Sequence, residues 1–330
     1  MNAWRFEPDS GLVLRSLPEP HPQGHESVFD VLACGLCRSD CRFLRPGATA
    51  TAKAIIPGHE ILAVDPGSGA RGVLWPGRAC GACASCRQGR ENLCRRMAVL
   101  GVDRDGGFAE RVAAPAENLI PVEAGIPDRL AVLAEPVACC LNALQQVQLE
   151  EHARIAIFGA GPFGHLFAFL ATLLGPVKVV LIDPDADRKQ ITRSFRDAAA
   201  IPLVERHAGP FDIAINATSS PTGFAQMLAA LGPGGRGILF SGLRPTGATL
   251  TAEQLNAIHY RQLHLVGAFG QTRAQIGQAL DLIDKHRDTL SLLADEPGDF
   301  ASLPVRLAQR CARDTLFQSI SLAPWAACAK

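Results

Sequence analysis

The chain has 330 residues, 48% hydrophobic and 19% charged, with Lys+Arg and Asp+Glu both at 32 and a formal net charge of zero. That length exceeds one core and sets two domains as the expectation, while balanced charge without a long basic run argues against a nucleic-acid partner. The N-terminus, with Arg5, Glu7 and Asp9, lacks the basic-then-apolar plan of a signal peptide, and no apolar run approaches membrane-spanning length, so a soluble cytoplasmic protein is expected. Eleven cysteines are an odd count, clustered in part at metal-ligand spacing. Reduced thiols are therefore expected, with Cys139, Cys140, Cys311 and Cys328 as ordinary residues.

From the N-terminus to about residue 140, short apolar runs such as Val28–Ala33 alternate with Gly/Pro-rich loops, the pattern of an irregular β-rich lobe. Three dispersed pieces hold candidate ligands: Cys37 in Cys34-Gly-Leu-Cys37-Arg-Ser39-Asp40, His59 and Glu60 in Pro57-Gly-His-Glu, and Glu135 in Ala134-Glu-Pro-Val. Singly, each has an ordinary reading as a core cysteine, a turn or a solvated glutamate. Between them stand Cys80, Cys83, Cys86 and Cys94, spaced C-x2-C-x2-C-x7-C. Thiolates at this spacing turn back onto one ion, and four of them close a tetrahedral shell, so structural Zn2+ is the expected occupant. Gly81 and Gly89 permit tight turns there, and Arg87, Arg90, Arg95 and Arg96 can offset the thiolate charge.

Beyond residue 140 strands alternate with helical stretches, the order of a parallel α/β sheet. The strand Arg154–Phe158 runs into Gly159-Ala-Gly161-Pro162-Phe163-Gly164 and then an apolar helical stretch, His165–Leu174. Glycines in that context allow a tight turn and close pyrophosphate approach at a helix N-terminus. A second strand, Lys178–Ile182, ends at Asp183, nineteen residues beyond Gly164, where a carboxylate can accept from ribose hydroxyls and repel a 2′-phosphate, favouring NAD over NADP. Further strands are predicted at Phe211–Ile215, Arg236–Phe240 and Leu263–Ala268, with a helix at Gly223–Leu231. Ala217 and Thr218 follow the first of these strands, and Ser241 and Gly242 the second, at carboxyl ends where an open α/β sheet binds its ligand.

With Cys37-Arg-Ser39-Asp40, Gly58-His59-Glu60, the four-cysteine lobe, Gly106-Gly-Phe-Ala-Glu110, Glu135-Pro-Val-Ala-Cys, the glycine fingerprint and Asp183 in this order, the chain resembles the zinc-containing medium-chain dehydrogenases over nearly its full length. Glu135 makes it similar to the polyol and threonine dehydrogenase branch. The resemblance implies a Rossmann doubly wound sheet at 138–271, and a GroES-like catalytic domain from 1–137 and 272–330 with a structural zinc lobe at about 78–97. It implies two zinc ions per chain and NAD, with a catalytic zinc held by Cys37 and His59, and Glu60 and Glu135 contributing directly or through water. Ser39 matches the hydroxyl that starts proton relay, Asp40 orients the metal shell, and Arg188 lies against the adenosine ribose. Arg42 stands where many relatives carry a relay histidine, and it cannot serve as a base.

The expected activity is zinc-dependent hydride transfer between NAD and a secondary alcohol: a polyol, cyclitol, amino sugar or aminocyclitol. A threonine-type amino alcohol and a larger glycoside are alternatives, as is a catalytically inactive NAD-binding sensor carrying one zinc. The resemblance further implies a homodimer or homotetramer through the Leu263–Ala268 edge strand.

Overall fold

The computed structural model describes residues 1–44, 53–185, 190–206, 209–243, 249–312 and 315–322. Arg188 and Cys328 lie outside the described residues. The chain divides into two compact units, Met1–Ala138 with Gln271–Lys330, and Cys139–Gly270.

The first unit is β-rich. Among the described residues its main sheet runs in the order Gly298–Asp299, Ser319–Ser321, Glu26–Gly35, Glu60–Val64, Arg71–Leu74 and Leu119–Pro121, with Arg111–Pro115 also pairing Glu26–Gly35. Phe29, Val31 and Ala33 repeat at the two-residue period of a strand and are buried. Phe29 and Val31 share a core with Ile61, Ala63, Phe108 and Val112, where a fully buried apolar side chain of this size contributes about 1.5–3 kcal/mol. At the end of the strand the alternation stops and Cys34, Gly35 and Leu36 are all buried, so the chain leaves the core at half-buried Cys37. Antiparallel register sets Gly35 opposite Glu60. Sheet pairing alone thus brings two ligand-bearing segments together.

In the second unit Arg154–Phe158, Lys178–Ile182 and Leu203–Val204 step one way from the centre, and Phe211–Asn216, Leu231–Leu239 and His264–Gly267 step the other. All neighbours are parallel. This is the doubly wound order, with its switch point between Arg154–Phe158 and Phe211–Asn216. The strand predicted at Arg236–Phe240 is longer at its start, because Gly232-Pro-Gly-Gly235 continues the strand through a register irregularity beside Phe211. Both predicted helices begin earlier, at Pro162 and Pro221, since proline is at home in a first helical turn. No described helix is long and apolar enough to cross a membrane.

Cys311 is not an ordinary thiol. It is disulfide-bonded to Cys41, 270 residues away, with Cα atoms 5.8 Å apart. Packing of the helix Leu303–Ala312 against the 3-10 turn Arg38–Phe43 brings the pair together.

Candidate active site

Cys37 caps the turn Arg38–Phe43, which closes on itself: Cys37 N donates to Asp40 Oδ2 at 3.2 Å, and Asp40 N to Cys37 O at 3.1 Å. Asp40 is fully buried, and its Oδ1 lies 3.5 Å from His59 Nδ1. Neither of these two atoms has a hydrogen-bond partner among the described residues. With Nδ1 turned to Asp40, Nε2 is the ring nitrogen left for a metal.

His59 and Glu60 arrive on a loop whose Gly58 has φ +94°, a conformation open to glycine. The glycine run clasps this loop from outside: Gly106 N donates to Ile56 O at 2.7 Å, Gly107 N to Gly58 O at 2.9 Å, and Phe108 N to Pro57 O at 3.0 Å. That contact is the physical reason for the Gly106-Gly-Phe motif. Across the sheet, a Cβ added to Gly35 would fall on the Glu60 carboxylate.

The donor atoms of Cys37, His59 and Glu60 all lie within 4.8 Å of one another. Burial pushes the Cys37 thiol up, but the neighbouring His59 outweighs it and the net displacement is down. Burial pushes His59 down, whereas Asp40 and Cys37 carry it well above the usual imidazole range. Burial, reinforced by Cys37 and Glu135, holds the Glu60 carboxyl well above the ordinary carboxylate range. Anionic donors crowded out of water in this way are what a divalent cation relieves. The residues therefore fit zinc, and a thiolate, an imidazole and a carboxylate leave one tetrahedral position open.

Glu135 stands outside this three-residue cluster. It is buried in the first turn of the helix Ala134–Leu144, where Oε1 accepts from Gln271 Nε2 at 3.0 Å, while Gln271 O accepts from Trp75 Nε1 at 2.9 Å. Gln271 belongs to no motif, and nothing in the sequence singles it out. Ser39 and Arg42 are exposed on the turn, Arg42 lying 4.7 Å from the Phe43 ring centroid.

The four remaining donors form a second cluster, again within 4.8 Å. Backbone amides support its sulfurs: Cys80 N donates to Cys94 Sγ at 3.2 Å, Cys83 N to Cys80 Sγ at 3.3 Å, and Arg96 N to Cys94 Sγ at 3.3 Å. The Ala82 amide, then Arg96 and further donors, lower the Cys80 thiol to about 5, whereas burial and neighbouring thiols push Cys86 up to about 12. Four thiols at mutual contact cannot all ionise without a cation, so this set also fits zinc. The arginines do not act alike: Arg96 bonds Cys80, but the side chains of Arg87 and Arg90 reach Ala82 O and Gln88 Oε1 instead. Both lie on the exposed rim, where a local oxygen is closer than the sulfurs.

In the second unit the glycine turn opens the helix Pro162–Leu174, whose Gly161 N-cap brings no side-chain cap to the first-turn amides. A Cβ at Gly164 would strike the Gly159 carbonyl, so only glycine lets the helix sit this close to the strand. Asp183 Oδ2 accepts from Ala160 N at 2.7 Å, and Ala217 N donates to Phe158 O at 2.9 Å. Ser241 N donates to Asn216 O at 3.3 Å. The fingerprint, Asp183, Ala217, Thr218, Ser241 and Gly242 thus gather at the carboxyl ends of four strands. Asp183 Oδ1 also accepts from Asp185 N, so both carboxylate oxygens are held by backbone amides. Phe163 packs on Phe240 with ring centroids 5.1 Å apart.

The Alcohol dehydrogenase GroES-like domain family matches residues 23–124. The chain is 31% identical to D-altritol 5-dehydrogenase of Agrobacterium fabrum, over 93% of this chain and 99% of that one. The chain is a zinc-containing medium-chain dehydrogenase. It is a nicotinamide-dinucleotide-dependent enzyme acting on CH–OH donors, nearest the polyol and threonine dehydrogenase branch. L-threonine 3-dehydrogenase of Chelativorans sp. is 27% identical over 81% of this chain and 83% of its own. Galactitol-1-phosphate dehydrogenase from Escherichia coli superposes with a TM-score of 0.83 at 21% identity, covering 97% of this dehydrogenase and 100% of that chain, a likeness of fold.

Proposed function

We propose that this dehydrogenase oxidises one secondary hydroxyl of a polyhydroxylated substrate, a sugar alcohol, cyclitol, amino sugar or aminocyclitol, to the ketone with NAD as hydride acceptor. The observation that carries the reading is the cluster of half-buried Cys37 with buried His59 and Glu60, its donors within 4.8 Å. On this reading Cys37 and His59 hold the catalytic zinc, and Glu60 and Glu135 act on it directly or through water. Cys80, Cys83, Cys86 and Cys94 hold a structural zinc. Bound there, the catalytic zinc would supply a Lewis acid that lowers the cost of removing the substrate's hydroxyl proton, and NAD would be the hydride acceptor.

The chain's own groups do the positioning. Asp40 fixes the His59 ring through Nδ1, and the bare Gly35 Cα leaves room for the Glu60 carboxylate. Ser39 Oγ receives the substrate proton first. The Arg42 guanidinium, on an exposed turn, offers donors and no acceptor, so on this reading the proton passes from Ser39 to water. In the second unit Gly159, Gly161, Pro162, Phe163 and Gly164 cradle the pyrophosphate, with Ala217, Thr218, Ser241 and Gly242 beside them. The Asp183 charge disfavours a 2′-phosphate, which supports NAD over NADP. The half-exposed edge strand His264–Gly267 offers a two-fold pairing surface for a homodimer or a tetramer of dimers.

The polyol preference is supported by the D-altritol 5-dehydrogenase match, stronger in identity and coverage than the L-threonine 3-dehydrogenase match. The test is NADH formation by zinc-loaded enzyme across hexitols, cyclitols, amino sugars and threonine. Turnover in a polyhydroxylated class is expected; turnover of threonine alone, or silence across the panel, contradicts the substrate assignment.

A further inference from the structure

Arg310 sits where the helix Leu303–Ala312 should present an apolar residue. Leu303, Leu307 and Arg310 follow the i, i+4, i+7 spacing of one buried face, and Arg310 is 2% exposed. A guanidinium sealed from water is costly unless it is hydrogen-bonded or paired. Its hydrogen bond runs from Nε to the carbonyl of Leu36 at 3.2 Å, with the guanidinium 5.4 Å from the Phe317 ring centroid. Among the described residues no carboxylate forms an ion pair with it; the negative groups acting on it are Cys37 and Glu60, then Asp295.

Leu36 immediately precedes the ligand Cys37, and its other side is held as well. Leu36 N donates to Gln318 O at 2.8 Å. One residue beyond Arg310, Cys311 is bonded to Cys41 on the turn that follows Cys37. The C-terminal segment therefore grips the Cys37 stretch before the ligand by two hydrogen bonds and after it by a covalent bond.

We infer that Arg310 and the Cys41–Cys311 bridge form a clamp that positions Cys37 for the catalytic metal. Arg310 is a positioning residue, acting through Leu36. The inference rests on the zinc reading of the Cys37, His59 and Glu60 cluster. Charge alone makes a different prediction. A cation beside the ligands repels an incoming divalent ion, so Arg310→Lys, which keeps the charge and loses the Nε bond, would leave metal binding unchanged if charge were the whole effect.

The test follows zinc leaving the full-length, zinc-loaded enzyme into excess chromophoric chelator. The catalytic phase is identified as the one missing from Cys37→Ala. Groups bonded directly to metal ligands are typically worth about 10–100-fold in metal affinity; Arg310 acts one residue away, through Leu36, so Arg310→Lys is expected at the low end, losing catalytic zinc about tenfold faster with the four-cysteine phase unchanged. Reducing the wild-type bridge with a phosphine, which breaks the S–S bond to leave two thiols, is expected to speed the same phase. In Cys311→Ser the phosphine changes nothing further. Unchanged catalytic-phase rates after both perturbations overturn the clamp, as does equal acceleration of both phases, which is general loosening. If Arg310→Lys fails to fold, the wild-type reduction experiment decides alone. A wild-type enzyme that releases only one zinc instead refutes the metal reading beneath the inference.

Discussion

Asp40→Asn isolates one charge at the metal centre. The amide keeps the shape of a fully buried side chain and, through its oxygen, the acceptor for Cys37 N, now at 3.2 Å from Oδ2. What disappears is the negative charge 3.5 Å from His59 Nδ1. A carboxylate behind a metal-binding histidine fixes its tautomer and raises its basicity, and losing it typically costs about 10–100-fold in metal affinity. At 1.36 kcal/mol per tenfold that is about 1.4–2.7 kcal/mol. After burial, which lowers it, Asp40 is the largest influence on His59 and the first of those raising it, so in the metal-free variant the imidazole should titrate lower than in wild type. Competition with a chromophoric chelator gives the affinity, and NMR titration of the His59 ring gives the protonation. A variant that binds zinc within threefold of wild type, with His59 titrating unchanged, would refute the orienting role.

Gly35→Ala drives a Cβ onto the Glu60 carboxylate. Overpacking of this kind costs about 1–3 kcal/mol, and chemical denaturation should show that loss together with weakened catalytic zinc; an undisturbed zinc content argues against Glu60 at the metal. Asp183→Ala should raise KM for NAD and improve use of NADP, and a cofactor ratio equal to wild type counts against the ribose contact. It also leaves Ala160 N unpaired, which costs about 1–3 kcal/mol of stability. The fourth prediction concerns pH. In the metal-free protein the raised His59 pKa gives stability fully present below the unfolded value of about 6.5 and lost as pH rises through the folded one. The raised Glu60 pKa works in the same direction: above about 4.5 the folded state keeps a proton that the unfolded state has released, so stability falls as pH rises. Zinc binds the deprotonated donors. The Tm difference between zinc-loaded and metal-free enzyme should therefore widen as pH climbs from about 5 to about 8, and a constant difference refutes the coupling.

The sequence makes local features legible. Arg154–Phe158 and Lys178–Ile182 are apolar runs bounded by turn residues, and the structure keeps both at those bounds. The four-cysteine cluster is equally visible, because all its donors lie within one loop. Features made by tertiary packing are hidden. Cys41 and Cys311 are 270 residues apart, and neither stands in a pairing pattern. Gln271 reaches Glu135 only because a loop far along the chain folds beside Trp75. Arg310 looks like a surface residue in its Arg-rich stretch, yet helical periodicity turns it inward. Gly232-Pro-Gly-Gly235 misleads in the opposite sense, since a turn signal within a strand becomes an irregularity in its register.

The measurement closest to the central claim is zinc per chain in wild type and in Cys37→Ala, by elemental analysis of folded protein. Two separate donor clusters, one of three residues and one of four, predict two zinc ions in wild type and one in the variant. One zinc in both proteins would contradict a catalytic metal at Cys37, His59 and Glu60.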